Sequence, residues 1–307
     1  MSHTLVIQTA ERMERRTVDQ LRRRKVDTGL YAIGGEPVAQ AWKELHDRYP
    51  LPWDITQGLL GDHYRGERCV VDLGPGSGQP CLTVIRSFLG RLREIVLVDV
   101  SPAMLSVAQD HLQTNTQAAV SSIIADFLED AESLGAALRG CAQPRLFVCL
   151  GCTVGNFNQR YALSALRSFL GEAEHILLDF GLYPCKRSED SWKNLANLYG
   201  EGAYFFGRHS LAACGAELAY QHTFTSVEGD NDDPEVQVIR VFYRFPEETA
   251  LVVGKEKVTF NAGEHLQIHE SRRFLADCLE RHLNKYGLGV VTSQHFESRG
   301  VFLCRKV

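Results

Sequence analysis

Short apolar runs rich in β-branched residues recur through the middle of the chain, at 69–73, 95–99, 120–124, 145–150 and 176–180. Stretches with helical spacing separate them, at 80–92, 103–114 and 160–170. Strands that are apolar on both faces and alternate with helices predict a parallel sheet with right-handed crossovers. Earlier in the chain two further helices are expected: a highly charged one over 9–25 and another over 36–47, before Pro50, Pro52 and Trp53 break the pattern.

Beyond residue 188 the rhythm changes. A polar helix over 192–199 leads into alternating segments at 217–225, 236–245, 250–253 and 255–260. Period-two alternation with one polar face predicts antiparallel strands. The acidic stretch 228–235, with Gly229 and Pro234, reads as a turn. A helix over 272–286 stops at Gly287, and strands at 289–296 and 301–305 follow. The expected organisation is α/β: a Rossmann-like core from 61–187, completed by 272–307, with a second α+β lobe made of 1–60 and an insertion at 188–271.

Composition narrows the partners. With 307 residues, 44% hydrophobic and 23% charged, the chain can bury a real core. A net charge of −5 argues against nucleic acid, and the run Arg22, Arg23, Arg24, Lys25 is expected to be the solvated face of a helix. No apolar run has the length of a membrane span and the N-terminus lacks a signal-peptide core, so a cytoplasmic location is expected. The nine cysteines fit that compartment. Cys149 and Cys152 form a lone Cys-x-x-Cys with no second pair, so no metal site is expected.

The strongest local signal is Asp72-Leu73-Gly74-Pro75-Gly76-Ser77-Gly78 at the end of the first core strand. Gly74, Gly76 and Gly78 allow a ligand to approach the backbone closely. Their spacing differs from the Gly-x-Gly-x-x-Gly of dinucleotide sites and favours S-adenosylmethionine (SAM), which has no pyrophosphate. Asp72 can reach the methionine ammonium of SAM. Asp99, ending the next strand, suits the ribose hydroxyls. Asp126 and Phe127, after the third, suit the adenine amino group and ring.

These motifs, with Leu150-Gly151-Cys152-Thr153-Val154-Gly155-Asn156-Phe157 and 258–264 followed by Ser271 and Phe274, resemble the histidine-specific Nα-methyltransferases of ergothioneine biosynthesis and their relatives acting on other amino acids. The resemblance covers most of the chain. It implies the class I SAM-methyltransferase sheet with a substrate lobe. It also implies that Asn156 holds the substrate amine or carboxylate beside the methyl group and that Tyr199 binds the carboxylate. By the same resemblance Tyr31 and Tyr49 stand near the substrate, with Arg48 replacing the first Tyr of the family's Tyr-Tyr-Pro, and Ser271 touches the substrate side chain.

Two departures stand out. His269 occupies the place of a Glu that accepts from the histidine imidazole, and Ile239 that of a Met packed on it. A histidine cannot supply that fixed negative charge. The expected reaction is methylation of the α-amino group of an amino acid or related small amine, not histidine, with Asn156 and Tyr31 as catalytic residues. Methyl or aminocarboxypropyl transfer to another small molecule is the alternative within enzymes; a SAM-binding regulator without turnover is the alternative outside them. Plain structural roles also fit several residues: Asn156 as a helix cap, Tyr31, Tyr49 and Tyr199 as packing aromatics, His269 as a core-edge histidine.

Overall fold

In the computed structural model the described residues are 4–26, 29–48, 59–60, 66, 68–183, 189–231, 233, 235–296 and 298–307, with 29, 45–48 and 189–199 described by backbone alone. The first part forms β1 (Thr4–Val6), α1 (Ala10–Arg22) and α2 (Gly29–Arg48). The core follows as β2 (Cys69–Leu73), α3 (Gln79–Ile85), β3 (Glu94–Asp99), α4 (Pro102–Asn115) and β4 (Ala119–Ile124). It continues through α5 (Ala131–Leu138), β5 (Arg145–Cys149), α6 (Gln159–Phe169) and β6 (His175–Tyr183). Next come α7 (Glu189–Ala213), β7 (Thr223–Gly229), β8 (Val236–Arg244), β9 (Thr249–Val253), β10 (Glu256–Phe260) and β11 (His265–Leu275). The last elements are α8 (Ala276–Lys285), β12 (Leu288–Phe296) and β13 (Arg299–Lys306).

Among the described residues eleven strands make one sheet, and β9 pairs with β10 as a separate hairpin. The order β4-β3-β2-β5-β6 is parallel throughout. Antiparallel β13 lies against β6, and β12 lies outside it. Side-chain alternation sorts the core into two layers. Cys69, Val71, Val96 and Val98 pack on one face with residues of α5, α6 and α8, while Val70, Ile95 and Leu97 pack on the other with residues of α3 and α4. Both faces being covered is why these strands read as continuous apolar runs. The result is the α/β, Rossmann-like methyltransferase fold.

Local chemistry explains the helix ends. Thr9, Ser101 and Asn158 accept from backbone N–H groups in the first turns of α1, α4 and α6. The cap of α6 is thus Asn158, two positions beyond Asn156, and the capping role weighed for Asn156 falls away. The helix expected over 80–92 is α-helical only to Ile85 and continues as the 3₁₀ turn Arg86–Arg91. The helix expected over 36–47 begins earlier and kinks at Gly35, where φ is 59°; Pro37 sits just past the kink, where its missing N–H costs little. The helix expected from 272 begins at Ala276, because Arg272 and Arg273 belong to β11 and their charges are buried there. β1, which pairs with β4, and α5 were not signalled by the hydrophobic pattern.

β6 joins the two parts of the sheet. β13 covers its residues from His175 to Gly181, and Leu182 and Tyr183 then pair with Phe274 and Leu275 of β11. Beyond β11 lie β8 and β7. A second apolar cluster is built from this side, with Leu21 of α1, Leu30 of α2, Leu211 of α7 and Val241, Tyr243, Leu266 and Ile268 of the strands.

At the opposite end of the core sheet from the glycine turn, Arg145 and Glu174 pair at 2.5 and 2.8 Å, both buried. Truncating one partner leaves the other's charge in the core, a cost of about 3–5 kcal/mol. Glu174→Ala is expected to lower urea-unfolding stability by about that amount, and the joint replacement Arg145→Met, Glu174→Leu to recover most of it.

Candidate active site

The expected SAM-binding residues stand at the carboxyl ends of β2, β3 and β4, the edge where open α/β sheets hold ligands. After β2 the chain turns through Gly74, Gly76 and Gly78, whose φ angles are 77°, 54° and 76°. Gly78 also lies against α4: a Cβ there would meet the Ala108 carbonyl at 3.0 Å. Asp72 is buried, and its Oδ1 has no hydrogen-bond partner among the described residues. Burial raises its carboxyl to about 7, against a hydrogen bond from the Cys81 thiol, with Asp99 adding to the rise. Asp99 accepts from the Ser101 N–H at 2.8 Å, and burial lifts it to about 6. Two carboxylates raised by burial beside bare backbone, one of them with an unpartnered oxygen, fit a cationic nucleoside with ribose hydroxyls and an ammonium to donate.

Asp126 has protein partners on both oxygens. Arg16 of α1 pairs with Oδ2, and the Leu128 and Glu129 N–H groups donate to Oδ1 at 2.8 and 3.1 Å. Arg12 likewise pairs with Asp130. Phe127 is buried, edge-on to Phe157 at 5.4 Å.

A second turn follows β5. Gly151 and Thr153 line a narrow cleft together with Asp72, Gly74, Gly76 and Trp42. Asn156, at the other end of the same turn, lines a separate cavity of about 310 Å³. Asp179 of β6, fully buried, fixes this turn: its Oδ2 accepts from the Gly151 and Cys152 N–H groups at 3.0 and 3.2 Å. Arg299 pairs with the same carboxylate. Gly155 packs on β11, where a Cβ would lie 2.9 Å from the Arg272 carbonyl.

The larger cavity brings Tyr31, Asn156 and His269 together. Tyr31 Oη lies 3.1 Å from His269 Nδ1. Burial lowers the His269 imidazole to about 4, with Glu270 opposing, so it is neutral at physiological pH. A bulge in β11 between Gln267 and His269 marks the spot, and on the other side of β11 the segment Arg24–Val26 bonds to Gln267. Ser271 and Ile239 face each other across β11 and β8, both fully buried, and neither lines this cavity. Tyr49 lies outside the described residues, as does the side chain of Tyr199, which the backbone places on α7.

Sequence reading missed Lys25, Glu270 and Arg272, which also line the cavity. Glu270 Oε2 accepts from Lys25 and Arg240 at 3.1 Å and from Gln267 at 3.3 Å, and Arg272 Nη2 lies 2.7 Å from Oε1. The signal was present as Glu270-Ser271-Arg272-Arg273 in an apolar setting, since buried charges of both signs imply mutual partners. Reading a helix start at 272 concealed it.

Fold and cradle together define a SAM-dependent methyltransferase. The chain belongs to the family described as histidine-specific, SAM-dependent methyltransferases, which matches residues 56–304. A search of curated proteins finds no match. Among solved structures, the CcbJ methyltransferase from Streptomyces caelestis is similar at 14% identity, covering 90% of this chain and 99% of that one, with a TM-score of 0.48. A SAM-dependent methyltransferase from Clostridium acetobutylicum covers 97% and 99% at 14% identity, TM-score 0.38. The glycopeptide N-methyltransferase MtfA, solved with SAM, covers 84% and 96% at 12% identity, TM-score 0.42. No helix among the described residues is long and apolar enough to cross a membrane.

With the methionine ammonium expected on Asp72, the raised carboxyl predicts a pH dependence of cofactor binding. A cation on Asp72 needs the ionised form, so SAM affinity is expected to weaken as pH falls below about 7, with proton release on binding near that pH. In the free protein the same raised value favours stability at low pH, and this contribution is lost as pH rises through about 7. Calorimetry in buffers of different ionisation enthalpy reads the released proton, and Asp72→Asn is expected to flatten the pH profile.

Proposed function

We propose that the protein transfers the methyl group of SAM to the α-amino nitrogen of an amino acid other than histidine. The observation that carries this is the turn after β5: Thr153 lines the cleft beside the glycine turn and Asn156 the separate cavity, so one short element borders both and can present an amine to the methyl donor. In this reading Asp72 meets the methionine ammonium, Asp99 the ribose, and Asp126, beside Arg16, the adenine edge with Phe127 behind it. Residues 1–60 and 188–271 act as the substrate lobe, with Tyr49 and Tyr199 contributing near the carboxylate and Ser271 and Ile239 supporting the wall behind His269. The free thiols of the described cysteines suit a cytoplasmic enzyme.

SAM supplies an electrophilic methyl group on a sulfonium leaving group. The chain's own task is alignment, for which a well-oriented pair can gain about 7–11 kcal/mol at most. Asn156 aims the nitrogen, and Tyr31, fixed by His269, shapes the approach. The amine must lose its proton before it can attack. With its pKa near 4, His269 is too weak a base to hold that proton at neutral pH. Enclosure lowers the ammonium's own pKa instead, and water takes the proton.

A neutral imidazole where the related histidine enzymes carry a Glu supports a substrate other than histidine. A pocket that loses its buried polar partner discriminates far less well. Labelled SAM offered with a panel of amino acids, followed by product fragmentation, locates the methyl group; a mark on oxygen, or an aminocarboxypropyl product, would replace this reading.

Asn156→Ala is expected to lower kcat/KM about 100-fold while SAM affinity by calorimetry changes little. Collapse of SAM affinity would remove Asn156 from the substrate side. His269→Glu is expected to raise histidine methylation relative to the native substrate, and no gain would remove His269 from specificity.

A further inference from the structure

Among the described residues the wall of the 310 Å³ cavity carries two cations, Lys25 and Arg272, and a single acid. Glu270, the one acid on its wall, is spent: four groups, Lys25, Arg240, Gln267 and Arg272, bond to its two oxygens. Its carboxyl is held down to about 2, since the cations beside it outweigh the upward push of burial. Arg272 uses Nη2 for Glu270 and Nε for Asp230, which leaves Nη1 buried with no hydrogen-bond partner among the described residues. An arginine nitrogen in that condition is costly unless an acceptor arrives. Lys25 is half-exposed at the cavity's edge and has N–H capacity beyond its one bond to Glu270.

Lys25 also lines an adjoining groove along α1 of about 560 Å³, which carries Arg12, Arg15, Arg16 and Arg23 against Asp19 and Glu129. Most of these charges are answered within the protein, Arg12 by Asp130, Arg15 by Glu11 and Arg16 by Asp126.

We propose that Lys25 and Arg272 hold a carboxylate of the substrate in the cavity beside Asn156. The inference rests on the cavity being the substrate site and specifies the substrate as carboxylate-bearing. The carboxylate is either the α-carboxylate common to amino acids or a second one on an acidic side chain. Both present the same planar anion to the two cations.

Three probes separate the sources in thermal-shift titrations with S-adenosylhomocysteine present. L-Glutamate carries both carboxylates, L-glutamine only the α-carboxylate, and L-isoglutamine only the side-chain one. Binding of at least one to the wild type is expected, with affinity falling about tenfold or more in Lys25→Gln and returning in Lys25→Arg. Glutamine binding like glutamate assigns the α-carboxylate; isoglutamine binding like glutamate assigns the side chain. Equal affinities in wild type and Lys25→Gln, or no shift with any probe, overturn the proposal. If these probes bind in a Lys25-dependent way but no amino acid is methylated, the proposed reaction fails and the carboxylate site stands. If an amino acid is methylated equally well by Lys25→Gln, the reaction stands and the site fails.

Discussion

The active end of the molecule depends on one buried carboxylate. Asp179, near the middle of β6, receives two backbone N–H groups from the start of the turn after β5 and is paired with Arg299 of β13. A charge at full burial is tolerable only when it is paired and fully hydrogen-bonded. Meeting that condition ties three adjacent strands to one turn. The turn has two faces, Thr153 toward the glycine cradle and Asn156 toward the cavity. In the proposed reaction this one short segment, rather than the docking of two lobes, would set the separation of methyl donor from acceptor.

Around this anchor the second set of strands is fastened by charge. Glu270 gathers Lys25 from the segment after α1, Arg240 from β8 and Arg272 from its own strand. From the other end of α1, Arg12 and Arg16 reach Asp130 and Asp126 at the rim of the core. α1 thus packs its apolar face among the strands of the lobe and sends its charges to the loop that follows β4. Arg12 and Arg16 of this charged helix are thus spent on the core, while Arg22 and Arg23 stay exposed, as the sequence suggested.

Legibility followed burial. Strands covered on both faces write themselves as apolar runs, and their glycine and aspartate endings were readable because the chemistry sits at strand termini. β1 was not readable: its three residues are exposed, and its pairing with β4 is a long-range contact that leaves no local period. β11 was misread because its charged residues satisfy one another across strands, a pattern that resembles a helix surface until the partners are known. The joining of Tyr31 to His269 spans 238 positions, beside a bulge in β11, and spacing alone announces neither. The placement of Asp72, Asp99 and Asp126 at strand ends was thus legible, whereas the gathering of Lys25, Glu270 and Arg272 around one cavity was not.

The cleft and the cavity are both bordered by the turn Gly151 to Asn156. The direct test is a crystal structure with S-adenosylhomocysteine. The expected complex has the ribose on Asp99, the amino end at Asp72, and the sulfur pointing past Thr153 toward Asn156. Density for the nucleoside elsewhere, or a sulfur directed away from the cavity that holds Tyr31 and His269, would contradict it.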